Sequence, residues 1–128
     1  HKNVSWLGRQ DHTEVLKAMS EHDVFVLPSR YEGMPKVVIE AMASGIPVLV
    51  SDAPGNRDVV RHGENGFLCG LSADSLAGSI RSIKENREEI PRIIRQARKD
   101  AETLYSLETI ADQEISLYQT LMLGEKKA

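Results

Sequence analysis

Glu32 and Glu40 stand eight positions apart, separated by Gly33, Met34, Pro35, Lys36 and the apolar run Val37-Val38-Ile39. Glu32 opens a tight Gly-Met-Pro turn, and Glu40 interrupts a helical stretch that is otherwise apolar through Ala41, Met42 and Ala43. A carboxylate among such neighbours is costly to bury unless something binds it. An ionised carboxylate can accept hydrogen bonds from two vicinal hydroxyls at once. The first turn of a helix carries unpaired N–H groups and the positive end of its dipole, which together suit a phosphate. If Pro35 starts the helix, Glu40 lies roughly 7.5 Å further along the axis at about 1.5 Å per residue. A diphosphate at the helix start would then lie between the two carboxylates, and a nucleotide sugar has that layout. The N–H groups of Gly33, Met34 and Lys36 are candidate phosphate donors, and Pro35 has none to give. The plain alternative is a helix-face Glu40, paired with an arginine or exposed at a rim, and a solvent-facing Lys36.

The elements that must hold these residues alternate between strand and helix. Val4–Leu7 reads as a strand ending at Gly8, and Thr13–Glu21 as a helix with Val15, Leu16 and Met19 on one face. Val24–Leu27 is a continuous apolar run stopped by Pro28, as suits a strand covered on both faces. Pro35 and Gly45 punctuate the two ends of the next helix, and Pro47 blocks its continuation. Val48–Val50 reads as a third strand, followed by a polar loop over Ser51–Asn56, a short helix over Arg57–Arg61 and a glycine-bearing turn over His62–Gly66. Phe67–Cys69 reads as a fourth strand. Ser72, Pro91 and Ser106 each suit a helix start, which predicts helices to about Asn86, Leu104 and Leu123. The expected fold is α/β: a Rossmann-like parallel sheet of about four strands, flanking helices and a helical C-terminal tail. Helices from about residue 72 onward would pack on or beside the sheet. In such sheets ligands bind at the carboxyl ends of the strands, where the Pro28–Met34 loop falls.

At 128 residues the chain fits one compact domain. Its net charge of -3 argues against general nucleic-acid binding, since the basic residues between Lys84 and Lys99 are interleaved with Glu85, Glu88 and Glu89. No apolar run approaches the roughly 20 residues of a membrane helix. Cys69 is the only cysteine, so no disulfide can form within the chain. The expected setting is cytoplasmic, or peripheral at the inner face of the membrane. His1, His12, His22 and His62 have no metal-ligand spacing, so no metal site is expected. Asp52, Asn56, Arg57 and Asp58, near the loop after Val48–Val50, are weaker ligand candidates, with capping and loop solubility as the competing roles for Asp52 and Asn56.

Several segments taken together resemble one family. Pro28-Ser29-Arg30-Tyr31-Glu32-Gly33 is followed at the required spacing by Glu40-Ala41-Met42-Ala43-Ser44-Gly45-Ile46-Pro47-Val48. The likeness continues through Pro54-Gly55-Asn56-Arg57-Asp58 and His62-Gly63-Glu64-Asn65-Gly66-Phe67-Leu68, and includes the opening Val4-Ser5-Trp6-Leu7-Gly8. This resembles the C-terminal donor-binding domain of retaining group-1 glycosyltransferases, which have the GT-B fold. The resemblance implies that Glu32 is catalytic, contacting the donor sugar near the reacting carbon. It implies that Glu40 binds the ribose hydroxyls, and that Gly33, Met34, Pro35 and Lys36 lie against the sugar and diphosphate. Many members have glycine where Pro35 stands, so one backbone donor is lost here. The donor implied is a UDP-sugar, with a GDP-sugar as the alternative, and no cofactor or metal is required. The acceptor would be a glycan or lipid-linked glycan held by an N-terminal domain outside this sequence. Residues 1–128 would form the second half of the donor domain, inactive alone, with the diphosphate-clamping arginine and lysine upstream.

From the residues alone two other readings stay open. One is a non-catalytic flavodoxin-like module that holds a nucleotide or a partner. The other is a GT-B relative with different chemistry, such as a sugar epimerase or phosphorylase.

Overall fold

The computed structural model describes residues 2–124. Its elements run α1 (His12–Glu21), β1 (Phe25–Leu27), α2 (Lys36–Ser44), β2 (Val48–Ser51), α3 (Asn56–Val59), β3 (Phe67–Cys69), α4 (Ala73–Glu85), α5 (Ile90–Leu104) and α6 (Leu107–Gly124). The three strands form one parallel sheet in the order β1-β2-β3. Phe25 pairs with Val48 and Leu27 with Val50, while Leu49 pairs with Phe67 and Ser51 with Cys69. This register brings the carboxyl ends of all three strands to one edge. The loops that follow β1 and β2 therefore emerge side by side.

Burial explains the unbroken apolar runs. Val48 and Val50 pack with Val38, Ala41 and Met42 of α2 and with Ala97 and Ala101 of α5. Leu49, pointing the other way, packs with Cys69 and with Ile83 of α4. β2 is thus covered on both faces, and an alternating pattern would have left one of them polar. The ends of α2 follow the sequence signals closely. Gly45 adopts φ +78°, ψ +27° and its N–H bonds back to Ala41 and Met42, a left-handed cap that residues with a Cβ disfavour. Pro35 occupies the N-cap itself, one residue before its expected place.

The expected first strand is not formed. Val4–Leu7 has no ladder partner among the described residues, and Trp6 is 93% exposed. Side-chain pattern alone does not make a strand; a neighbouring edge must take its backbone groups. The sheet accordingly has three strands where about four were expected.

A buried carboxylate fastens α5 to the turn before β3. Asp100 accepts from Arg61 Nη2 at 2.7 Å, Asn65 Nδ2 at 2.8 Å and Gln96 Nε2 at 2.7 Å. Burial raises its pKa, but the bonds from Asn65, Arg61 and Gln96 outweigh that and hold it below its ordinary 3.8. A depressed carboxyl contributes stability that is complete above its ordinary value and is lost as pH falls through the folded value. Asp100→Ala is expected to cost about 2–4 kcal/mol near neutrality, since it removes the acceptor of the buried Asn65 amide and of the half-buried Gln96 amide. Urea unfolding from pH 7 down to pH 3 tests both points: the gap between wild type and variant should narrow as the acid limit is approached.

Candidate functional site

The loop from Pro28 to Pro35 leaves β1 at the ligand end of the sheet and enters α2 directly. Glu32 is half-buried there, and its carboxylate has no hydrogen-bond or ion-pair partner among the described residues. Gly33, Met34 and Lys36 are exposed, whereas Pro35 is buried beneath them. Of the three candidate N–H donors, that of Lys36 is already used, bonding Met34 O at 2.9 Å. The Gly33 and Met34 N–H groups have no protein acceptor among the described residues, and that of Val37 in the first turn of α2 is equally free. The chain therefore presents three amides at the positive end of α2, with Val37 in the place expected for Lys36. Lys36 can serve through its ammonium group instead, since its side chain reaches solvent at the same helix start.

Glu40 lies in the second turn of α2, flanked by the buried Val38, Ala41 and Met42. It is neither buried nor paired with an arginine. Its side chain is 37% exposed, and its Oε1 lies 3.3 Å from Nε2 of His12 at the start of α1.

What fixes the Glu32 loop is its neighbour, the loop after β2. Ser51, fully buried, donates its hydroxyl to the carbonyl of Ser29. Asn56, also fully buried, donates through Nδ2 to Ser51 O at 3.1 Å, Ser51 Oγ at 3.0 Å and Ser29 Oγ at 3.4 Å. The Glu32 N–H reaches Pro54 O at 3.2 Å. Gly55 lies so close that a Cβ there would sit 2.2 Å from Glu32 O and 2.6 Å from Gly33 O. Asn56 Oδ1 is buried without a partner among the described residues, a cost accepted where its amide holds both loops.

Of the weaker candidates, Arg57 closes on Asp52 in an exposed ion pair. Asp58 is exposed, and its backbone carbonyl accepts from Tyr105 Oη at 3.3 Å. Asn56 has a different role from the capping and solubility expected of it. Sequence reasoning gave Ser29, Ser51, Gly55 and His12 no place in the site: Ser29 and Gly55 served only as part of the family resemblance, and His12 was weighed only as a metal ligand. Ser51 and Asn56 meet Ser29 across 22 and 27 positions, beyond the reach of any local pattern.

Three concave spaces of about 510, 270 and 610 Å³ lie elsewhere. The first lies behind the amino ends of β1 and β2, lined by Val24, Pro47, Ile80, Ile83 and Arg87 among others. The other two lie beside α1 and residues 3–10. None is lined by Glu32–Lys36 or Glu40. The carboxyl edge is where free amides at the start of α2 lie on the same segment as the two carboxylates Glu32 and Glu40.

A parallel sheet with such a loop at its carboxyl edge defines the class, an α/β domain whose ligand-binding edge is the one these loops occupy. The family model "Glycosyl transferases group 1" matches residues 1–100, and the chain belongs to that family. The glycogen synthase of Mycobacterium tuberculosis is 31% identical over 123 residues, covering 95% of this chain and 30% of that protein. Sucrose-phosphate synthase from Thermosynechococcus elongatus superposes with a TM-score of 0.86 at 32% identity, over 96% of this chain and 31% of the other. Anabaena Alr3699/HepE, solved in complex with UDP and glucose, superposes at 0.83 with 27% identity, over 91% of this chain and 32% of the other. These neighbours have the GT-B fold, and the chain spans about 30% of the length of the relatives it matches. Among the described residues no helix is long and apolar enough to cross a membrane.

Proposed function

We propose that this chain is the donor-binding portion of a retaining glycosyltransferase that moves a hexose from a UDP-sugar to an acceptor hydroxyl of a glycan or lipid-linked glycan. The observation that carries the reading is Glu32: a half-buried carboxylate without a partner among the described residues, on a loop braced from behind, beside three free amides at a helix start. In the site so read, the diphosphate accepts from the Gly33, Met34 and Val37 N–H groups. As the bond from the anomeric carbon to the leaving oxygen lengthens, negative charge grows on the diphosphate and positive charge on the sugar ring. The α2 dipole and amides stabilise the first, and the Glu32 carboxylate the second. Neither has to reorganise, because the loop is already held by Ser51, Asn56 and Pro54. Glu40, further along α2, accepts from the ribose hydroxyls. Pro35 contributes packing and Lys36 a mobile cation.

Uracil is preferred to guanine as the base because a structural neighbour of 27% identity is described with UDP bound. The test is calorimetric titration of the full-length protein with UDP and GDP, followed by NMR of the product formed from a UDP-hexose. Tighter binding of UDP and a product with the donor's own anomeric configuration are expected. An inverted product would remove the retaining assignment, and equal or absent UDP binding would remove the donor.

A further inference from the structure

The pair formed by His12 and Glu40 joins two helices at the rim of the site. His12 opens α1, whose start is fixed by Asp11: its side chain accepts from the Glu14 N–H at 2.9 Å, and Glu14 closes the box by accepting from the Asp11 N–H. The helix is held against the α2 side of the core by Met19, with Val15 and Leu16 packed around it. The backbone that carries the imidazole is therefore fixed relative to the backbone that carries Glu40. Nε2 then lies 3.3 Å from Oε1, with the two side chains 67% and 37% exposed. A polar pair this open contributes at most about 1 kcal/mol to folding. Holding α1 to α2 is work the apolar contacts already do.

We infer that His12 is a positioning residue for the nucleoside end of the donor, holding one oxygen of Glu40 so that the other faces the ribose diol. The inference rests on the ribose role proposed for Glu40 and goes one residue further. A carboxylate offers about four acceptor sites on two oxygens. With Oε1 3.3 Å from the imidazole, a bound nucleotide would find Glu40 turned so that Oε2 is the oxygen left for the diol. The ligand class is a nucleotide with vicinal 2′ and 3′ hydroxyls.

The experiment titrates the full-length protein with UDP and with 2′,3′-dideoxy-UDP, in wild type, His12→Ala, His12→Gln and Glu40→Gln. His12→Ala should weaken UDP binding by about fivefold to tenfold and leave dideoxy-UDP binding at the wild-type level. Gln at position 12 keeps an N–H donor and should restore much of the UDP affinity. If His12→Ala binds UDP as wild type does while Glu40→Gln loses discrimination between the two ligands, His12 has no such role and the inference fails alone. If His12→Ala weakens both ligands equally, the imidazole acts on the base or the phosphates and the inference fails. If Glu40→Gln still discriminates as wild type does, the ribose role of Glu40 falls, and the inference falls with it.

Discussion

Glu32→Gln in the full-length protein is expected to lower the turnover number at saturating donor by about 10²–10³-fold, with UDP affinity changed little. Glutamine has nearly the same volume and reach, so the substitution removes charge while leaving the packing of a half-buried side chain intact. Folding should hardly notice: the carboxylate has no cationic partner to strand, and the loop is held through backbone groups of residues 29 and 32 that the change leaves alone. What is lost is the interaction with positive charge developing on the sugar ring, which exists only near the transition state. A group that acts there alone alters the turnover number and not ground-state binding. Steady-state kinetics beside UDP calorimetry separates the two. Turnover within about threefold of wild type would remove Glu32 from the chemistry, because an electrostatic contact of this kind is worth far more than that. A fall in UDP affinity equal to the fall in turnover would place its role in binding.

Local punctuation was legible in the sequence, and long-range contact was not. Gly45 ends α2 and Ser72 caps α4 as read, because a cap depends on residues within one turn of itself. The apolar run of β2 told that both faces are covered, because burial on two faces leaves no room for alternation. Val4–Leu7 misled for the complementary reason: its composition suits a strand, but a strand exists only with a partner edge. At the site, the loop between Glu32 and Glu40 and the helix start were readable from order alone. Which amides remain free was not, since the turn from Met34 to Lys36 consumes a donor that a straight helix start would have left open. The imidazole beside Glu40 comes from 28 positions upstream, and the spacing of His12 gave no hint of it.

Gly55→Ala should do more harm than alanine at the more conspicuous Gly33. Gly33 has no heavy atom within 4 Å of a built Cβ, so alanine there meets open space on the side where the donor is proposed to lie. Its expected effect is on donor affinity, with the melting temperature held. Gly55 is the opposite case. Its φ of +82° and ψ of -49° disfavour any L side chain, at about 1–3 kcal/mol. The new methyl would overlap Glu32 O at 2.2 Å, Gly33 O at 2.6 Å and Glu32 C at 2.7 Å. All three are backbone atoms and no rotamer moves them aside, so the Glu32 loop must shift, adding a further cost of about 1–3 kcal/mol. A domain of ordinary stability, about 5–15 kcal/mol, survives that and melts lower. Activity does not survive it as well: displacing Glu32 by about an ångström is worth about 10²-fold in rate. Position 40 should be spared, because α2 is anchored by Val38 and Met42 in the core rather than by this loop. Gly55→Ala is thus expected to lose turnover while keeping the preference for UDP over its dideoxy analogue. Wild-type turnover in that variant would show that the second loop does not brace the first, since the overlap leaves Glu32 no way to stay where it is.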